Sequence, residues 1–263
     1  MSNLTFISGA TGGIGKAFSV SSAKRGYNLF LTGRSGEKLD KLKEELLVIN
    51  SDIEIYTCPC DLTSKEDRDK MLSVIDEQGL KFDRIINVAG ADIQKAFMAY
   101  TPEKVLFQIR VNVESTITLT HALLNRRAEK MEIITISSMS GASPMPYFAL
   151  YSATKAMLTN FFTSLHVELK KEGVKVTTVL PGGVPTRPDL IEDIKRQGLW
   201  GKLSAKPADF VAEKSLKAVK KNKTKYVPGG FNKFLNFIMK FVPLKIQLAF
   251  IARRWKNLTK DAF

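Results

Sequence analysis

At 263 residues, with 44% hydrophobic and 25% charged side chains, the chain has the length and apolar content of one α/β domain and not of a disordered or fibrous protein. Its only cysteines, Cys58 and Cys60, are separated by one residue in an expected strand, too close to bridge, which argues against a disulfide framework and for a reducing compartment. The net charge of +14 is one-sided: residues 1–194 balance 23 Lys+Arg with 23 Asp+Glu, whereas residues 195–263 hold 17 against 3. An anionic contact surface in the last quarter follows from that asymmetry.

In chain order, short β-rich runs alternate with longer helical patterns. Strands are predicted at 4–8, 27–32, 53–58, 84–89, 132–137 and 175–180, and their near-continuous apolar character suits a parallel sheet covered on both faces. Crossover helices are predicted at 36–50, 64–78, 102–127 and 151–172, the third starting at Thr101-Pro102 and the last stopping at Glu172-Gly173. A lysine-rich helix at 214–225 and a short strand at 226–228 close this region. The alternation predicts an α/β fold, a doubly wound parallel sheet of Rossmann type, as a single domain over 1–228 with a helical extension over 229–263. No segment reaches the roughly 18 apolar residues that span a bilayer. MSNLTFISG lacks the basic-then-apolar order of a secretory signal, so a cytoplasmic protein is expected.

The segment SGATGGIGKAF follows the first strand and opens a helix. Gly9, Gly13 and Gly15 let backbone turn sharply and approach a pyrophosphate, which the free N–H groups of the helix start can bind; Thr11 and Ile14 lie in the same turn. The second strand ends LTGRS. Thr32 and Gly33 stand where an acid would hold a ribose 2′-OH, and Arg34 follows, matching a 2′-phosphate in geometry and charge. NADP(H) is therefore expected over NAD(H).

Inside SSMSGASPMPYFALYSATKAM, Tyr151 precedes Lys155 by one helical turn, and Ser138 lies upstream. A free tyrosine titrates near pH 10, and an ammonium on the same helix face favours its phenolate. Tyr151 can then exchange a proton with an alkoxide while Ser138 hydrogen-bonds the same oxygen. His121 and His166 have no cysteine or acidic cluster at ligand spacing, so no metal is expected.

Taken together, SGATGGIG, CDL at 60–62, NVAG at 87–90, VN at 111–112, ISS at 136–138, YSATK at 151–155 and PGGVPT at 181–186 resemble the short-chain dehydrogenase/reductase family over residues 4–190. The resemblance implies that Asp61 contacts the adenine edge, that Asn87, Ala89 and Gly90 line the cofactor, and that Pro181, Gly182 and Thr186 flank the nicotinamide. It also implies a catalytic tetrad of Asn112, Ser138, Tyr151 and Lys155, in which Lys155 reaches the nicotinamide ribose and Asn112 supports a proton-relaying water. Two departures stand out: Val88 where asparagine is frequent, and Thr154 where serine is usual. The family also implies a dimer or tetramer.

By the same resemblance residues 187–206 form a substrate lid, to which Leu190, Ile191, Ile194, Leu199 and Trp200 give an apolar inner face. The extension carries two apolar stripes at helical spacing, Phe231, Phe234, Leu235, Ile238, Met239, Phe241 and Val242, then Leu244, Leu248, Ile251 and Trp255, separated by Pro243. With the lysines and arginines of 214–256 they suit an anionic membrane surface, a partner subunit or the chain's own core. No nucleic-acid motif accompanies the charge. The sequence thus predicts an NADP(H)-dependent oxidoreductase that interconverts a carbonyl and an alcohol on a lipophilic small molecule, of steroid, retinoid or long-chain acyl type. The alternative is a membrane-docked NADP(H)-binding regulatory or scaffold protein without turnover.

Overall fold

Neighbouring residues of a strand point to opposite faces of a sheet, and in this chain both faces are apolar. A computed structural model describes residues 3–256. Strands β1 (Leu4–Ser8), β2 (Asn28–Gly33), β3 (Ile55–Pro59), β4 (Phe82–Asn87), β5 (Arg127–Ile136), β6 (Val174–Val179) and β7 (Lys225–Tyr226) form one parallel sheet in the order β3-β2-β1-β4-β5-β6-β7. On one face Ile7, Leu29, Leu31, Ile86, Ile134 and Val179 pack under helices α1 (Gly13–Ala23), α2 (Gly36–Ile49) and, near the far edge, a helix at Ala208–Lys220. On the other, Phe6, Phe30, Phe82, Ile85, Ile133 and Val176 meet α3 (Lys65–Glu77) and helices at Ser115–Leu124 and Ala149–Glu168. The rings of Phe6, Phe30 and Phe82 contact one another with centroids 5.8–6.1 Å apart. Burial of each contributes roughly 1.5–3 kcal/mol.

The remaining helices are α4 (Pro102–Ile109), α5 (Ser115–Leu124), α6 (Ala149–Glu168), α7 (Pro188–Arg196), α8 (Gly198–Ser204), α9 (Ala208–Lys220), α10 (Gly230–Ile238) and α11 (Leu244–Trp255). Several boundaries differ from the sequence expectation. The single helix predicted over 102–127 is divided by a π-helical turn, Arg110–Glu114, and β5 begins at Arg127 instead of 132. Arg127 pairs with Phe82, after which the register shifts before Arg84 meets Glu132, so the polar segment 127–130 is sheet despite its helical composition. The helix predicted over 151–172 runs from Ala149 to Glu168 and ends through a 3-10 turn at Gly173, whose φ of +73° only glycine adopts readily. The lysine-rich helix starts at Ala208, because Val211, Ala212, Leu216 and Val219 are its buried face.

Strand order reverses between β1 and β4, where the crossovers leave toward opposite faces. A crevice opens there at the carboxyl ends of the strands. Residues 257–263, the end of the extension expected over 229–263, lie outside the described residues.

Candidate active site

The crevice is a cleft of about 850 Å³ that runs from the glycine loop to the C-terminal helices. At one end the loop after β1 folds back on itself. Gly9 adopts φ +65°, and a Cβ on Gly15 would stand 2.0 Å from the Gly9 carbonyl oxygen, so only glycine permits this turn. No side chain caps α1, whose N-cap is Gly12, and its first-turn amides are left for a ligand. Thr11, Gly13 and Ile14 line the cleft beside them, and the Thr186 side chain rests directly against Gly13. This uncapped, glycine-rich cradle fits the pyrophosphate of a dinucleotide. Arg34 and Lys38, both exposed, border the cleft past the end of β2, with Asp61 across from them. The Asp61 carboxylate accepts from Thr63 N–H (2.9 Å) and Thr63 Oγ1 (2.8 Å), which fixes its direction.

Ala89 and Gly90 line the centre of the cleft, whereas Asn87 does not. The Asn87 side chain is buried in the sheet layer, where its amide donates to Thr120 Oγ1 (3.0 Å) and Thr135 Oγ1 (3.2 Å). Its side chain braces β4, β5 and α5. Val88 packs into the apolar layer under α1, which explains how this chain accommodates an apolar residue there. The loop itself hangs from Ser8, whose hydroxyl accepts from the N–H groups of Val88 (3.0 Å) and Ala89 (3.2 Å).

Tyr151, Lys155 and Ser138 converge beyond this loop and line the same cleft. Lys155 is buried and donates from Nζ to the Ile136 carbonyl (2.9 Å). Desolvation brings its pKa down to about 8. The Tyr151 ring stacks on Phe148, with centroids 4.3 Å apart, and lies 5.8 Å from the Lys155 ammonium. Burial pushes the Tyr151 phenol above its ordinary value, and Asp92 acts in the same direction; the Ser138 hydroxyl, which donates to it, acts the other way. The phenol is therefore neutral in this state of the site. The lysine-driven phenolate expected from the sequence is outweighed by desolvation. Ser138 Oγ also accepts from Ser140 N–H (3.1 Å), which fixes its place beside the phenol. Tyr147, just before Phe148, adopts the left-handed φ of +64°.

Asn112 sits in the π-helical turn, fully buried and away from the cleft lining. Its Oδ1 accepts from Ala91 N–H (2.7 Å), and Nδ2 donates to the Ala91 carbonyl (3.0 Å) and to Thr154 Oγ1 (3.0 Å). Thr154 Oγ1 in turn donates to the Tyr151 carbonyl (2.7 Å). With its amide committed in this way, Asn112 positions the Ala89–Asp92 loop and the Tyr151 helix instead of touching a reacting group. The serine-to-threonine departure keeps the hydroxyl that makes this link possible.

Pro181 and Gly182 line the cleft opposite Tyr151, and from the lid Leu190, Ile194 and Trp200 face in. Ile191 and Leu199, expected on the same face, are 39% and 72% exposed. Sequence reasoning missed two groups. Asp92 and Arg187, 95 residues apart, form an ion pair at 2.9 Å beside the phenol; ADIQ after NVAG and the TR of PGGVPTR offered only a faint signal. The second is the C-terminal wall: Leu235, Met239, Ile251 and Trp255 close the substrate end, with Ile251 buried among Met145, Phe148 and Tyr151. The buried Asn232 side chain fills the space beside Gly182, where a Cβ would stand 2.9 Å from it. Among the described residues no group of metal-binding side chains occurs. His166 Nδ1 lies 2.8 Å from the Val176 carbonyl oxygen, a structural contact.

A switch-point cleft with a phosphate cradle at one end and a Ser-Tyr-Lys group at the other defines a dinucleotide-binding oxidoreductase scaffold. The family model of the short chain dehydrogenases matches residues 3–193. The very-long-chain 3-oxoacyl-CoA reductase of Bos taurus is 34% identical over 211 residues, 78% of this chain and 65% of the relative's length, so the chain spans less than two thirds of that relative. An uncharacterised oxidoreductase of Staphylococcus aureus is 31% identical over 185 residues, 70% of this chain and 78% of that protein. Among solved structures, a 7beta-hydroxysteroid dehydrogenase superposes with a TM-score of 0.84 at 24% identity, over 95% of this chain and 96% of that one. The L-sorbose reductase of Gluconobacter frateurii, solved with NADPH and L-sorbose, gives 0.75 at 22% identity, over 87% and 95%. The chain belongs to the short-chain dehydrogenase/reductase family of oxidoreductases.

Proposed function

We propose that this protein is an NADP(H)-dependent reductase or dehydrogenase of lipophilic carbonyl/alcohol pairs. The observation that carries the reading is the convergence of Ser138, Tyr151 and Lys155 on one cleft with the uncapped start of α1. When bound, the nicotinamide supplies or accepts the hydride. Tyr151, neutral at physiological pH in this site, donates its proton to the substrate oxygen in reduction and receives it back in oxidation. Ser138 donates to the same oxygen and holds it beside the phenol. Lys155, fixed by Ile136, brings positive charge toward the phenolate that remains. Arg34 and Lys38 favour a 2′-phosphate, since Thr32 and Gly33 offer no carboxylate to a ribose diol. The apolar lining from the lid and the C-terminal helices favours a steroid-like or long-chain acyl substrate. The substrates named for the bovine relative and for the 7beta-hydroxysteroid dehydrogenase support that class.

The test is oxidation of NADPH and NADH against hydrophilic and lipophilic ketones. NADPH-selective turnover of a lipophilic ketone is expected, with a loss of about a hundredfold or more in Tyr151→Phe at unchanged NADPH affinity. Tight NADPH binding without turnover of any carbonyl would overturn the catalytic reading in favour of a regulatory or scaffold role.

A second reading concerns the outer surface. Phe234, Phe237, Phe241, Leu244, Ile246 and Phe250 are each more than half exposed on α10, α11 and the turn between them, beside the exposed Lys233, Lys240 and Lys245. No acidic residue occurs between Glu213 and Asp261. We infer that this face rests on an anionic bilayer. Among the described residues no helix is long and apolar enough to cross a membrane.

A further inference from the structure

Arg254 is the one cleft-lining cation of α11, at the end of the cleft away from the glycine loop. Its guanidinium carbon lies 5.5 Å from the Trp200 ring and 5.8 Å from the Trp255 ring, so indole surfaces from the lid and from α11 both shield it. Its Nε is buried without a hydrogen-bond partner. Among the described residues its only side-chain hydrogen-bond partner is a weak one, Gln197 Oε1 at 3.5 Å from Nη2. No ion pair joins it to any acid among the described residues: Asp92 is paired with Arg187, Asp61 is turned onto Thr63, and Asp193 lines the cleft without reaching it.

A guanidinium flanked by two indoles, its Nε buried, with no counter-charge among the described residues, is a costly arrangement. An anion at its open edge offsets that cost, and the fork of N–H donors matches two oxygens of a carboxylate or phosphate. Between Arg254 and Tyr151 the lining is apolar, with Phe148, Met239, Ile251 and Trp255. We propose that Arg254 binds the anionic end, carboxylate or phosphate, of a substrate whose apolar body spans the distance to Tyr151. The proposal rests on the reductase reading for the position of the carbonyl, but the anion site itself does not require turnover.

The test uses equilibrium binding to the full-length protein saturated with NADP. The probes are a keto-steroid carboxylate, its methyl ester, and a phosphate ester on the same skeleton. The carboxylate, the phosphate or both should bind at least about tenfold more tightly than the methyl ester, and which of them does identifies the source of the anion. Arg254→Gln should erase that preference while leaving ester and NADP affinity unchanged, and Arg254→Lys should restore part of it. Should Arg254→Gln lose ester affinity as well, the acid-to-ester ratio in Arg254→Lys decides, because lysine keeps the charge and gives up the fork. Equal binding of all three probes to the wild type, or a preference that survives in Arg254→Gln, would refute the proposal. A protein that prefers the acid yet turns over no carbonyl keeps the anion site and loses the reductase reading.

Discussion

Lys155 and Tyr151 are both buried enough for their titrations to show in stability. Burial holds the folded lysine at about 8, below its ordinary 10.5. Below pH 8 both folded and unfolded chains carry that proton, and the penalty for burying the charge is fully present. Between about 8 and 10.5 the unfolded chain binds more protons than the folded one, so stability rises with pH. The tyrosine acts in the opposite sense: its folded value is raised above 10, so beyond that pH the unfolded chain gives up a proton that the folded chain keeps, and stability falls. Cofactor-free protein should therefore gain roughly 2 kcal/mol between pH 8 and pH 10 and then level off or decline. Urea midpoints across that range measure the effect, and Lys155→Met should flatten the rise. An unchanged rise in that variant would assign it to another group.

At the scale of elements, α10 is tied to the lid through Asn232 and through the Phe231 ring against Trp200. Asn232 donates from Nδ2 to the carbonyls of Ser204 (2.8 Å) and Pro228 (2.9 Å). Asn232→Ala leaves both acceptors without this donor at a buried site, a loss of about 2 kcal/mol. The variant should melt at lower temperature and show a raised KM for lipophilic ketones, with NADPH affinity intact. An equal loss of NADPH affinity would mean that α10 supports the whole cleft and not its substrate end. The sequence already exposed the elements whose signal is local: the apolar strand runs, the glycine spacing after β1, and Tyr151 one turn from Lys155. What stayed hidden depends on contacts distant in sequence. The π-helical turn at Asn112 is held by Ala91 and Thr154, the Asp92–Arg187 pair joins two loops, and β5 starts early at Arg127, which pairs with Phe82. The extension is the instructive middle case. Helical spacing located its apolar residues, but which of them face the cleft is decided by where α10 and α11 dock. Leu235, Met239 and Ile251 turn inward, while Phe234, Phe237 and Phe241 turn out.

For the whole molecule, the inward and outward faces of the same two helices link the cleft to its surroundings. Phe250 belongs to both: it lines the cleft, its ring lies 6.3 Å from Trp200, and it is 51% exposed. A bilayer lying against the Phe234–Phe241 surface would therefore meet the edge of the substrate cleft, giving an apolar substrate a route that avoids water. Two forces act together in such docking. Each phenylalanine entering the interface contributes about 1–2 kcal/mol, and the lysines add an attraction to anionic headgroups that salt screens over about 8 Å at physiological ionic strength. The protein should co-sediment with phosphatidylserine-containing vesicles, bind pure phosphatidylcholine vesicles at least tenfold more weakly, and be released as salt is raised. Phe237→Ser combined with Phe241→Ser should weaken vesicle binding by about tenfold or more without changing turnover of a water-soluble ketone, since neither residue lines the cleft. Vesicle binding indifferent to lipid charge and to both substitutions would place the membrane contact elsewhere. Concentration-dependent self-association abolished by the same pair would instead identify this face as a contact between two copies of the chain.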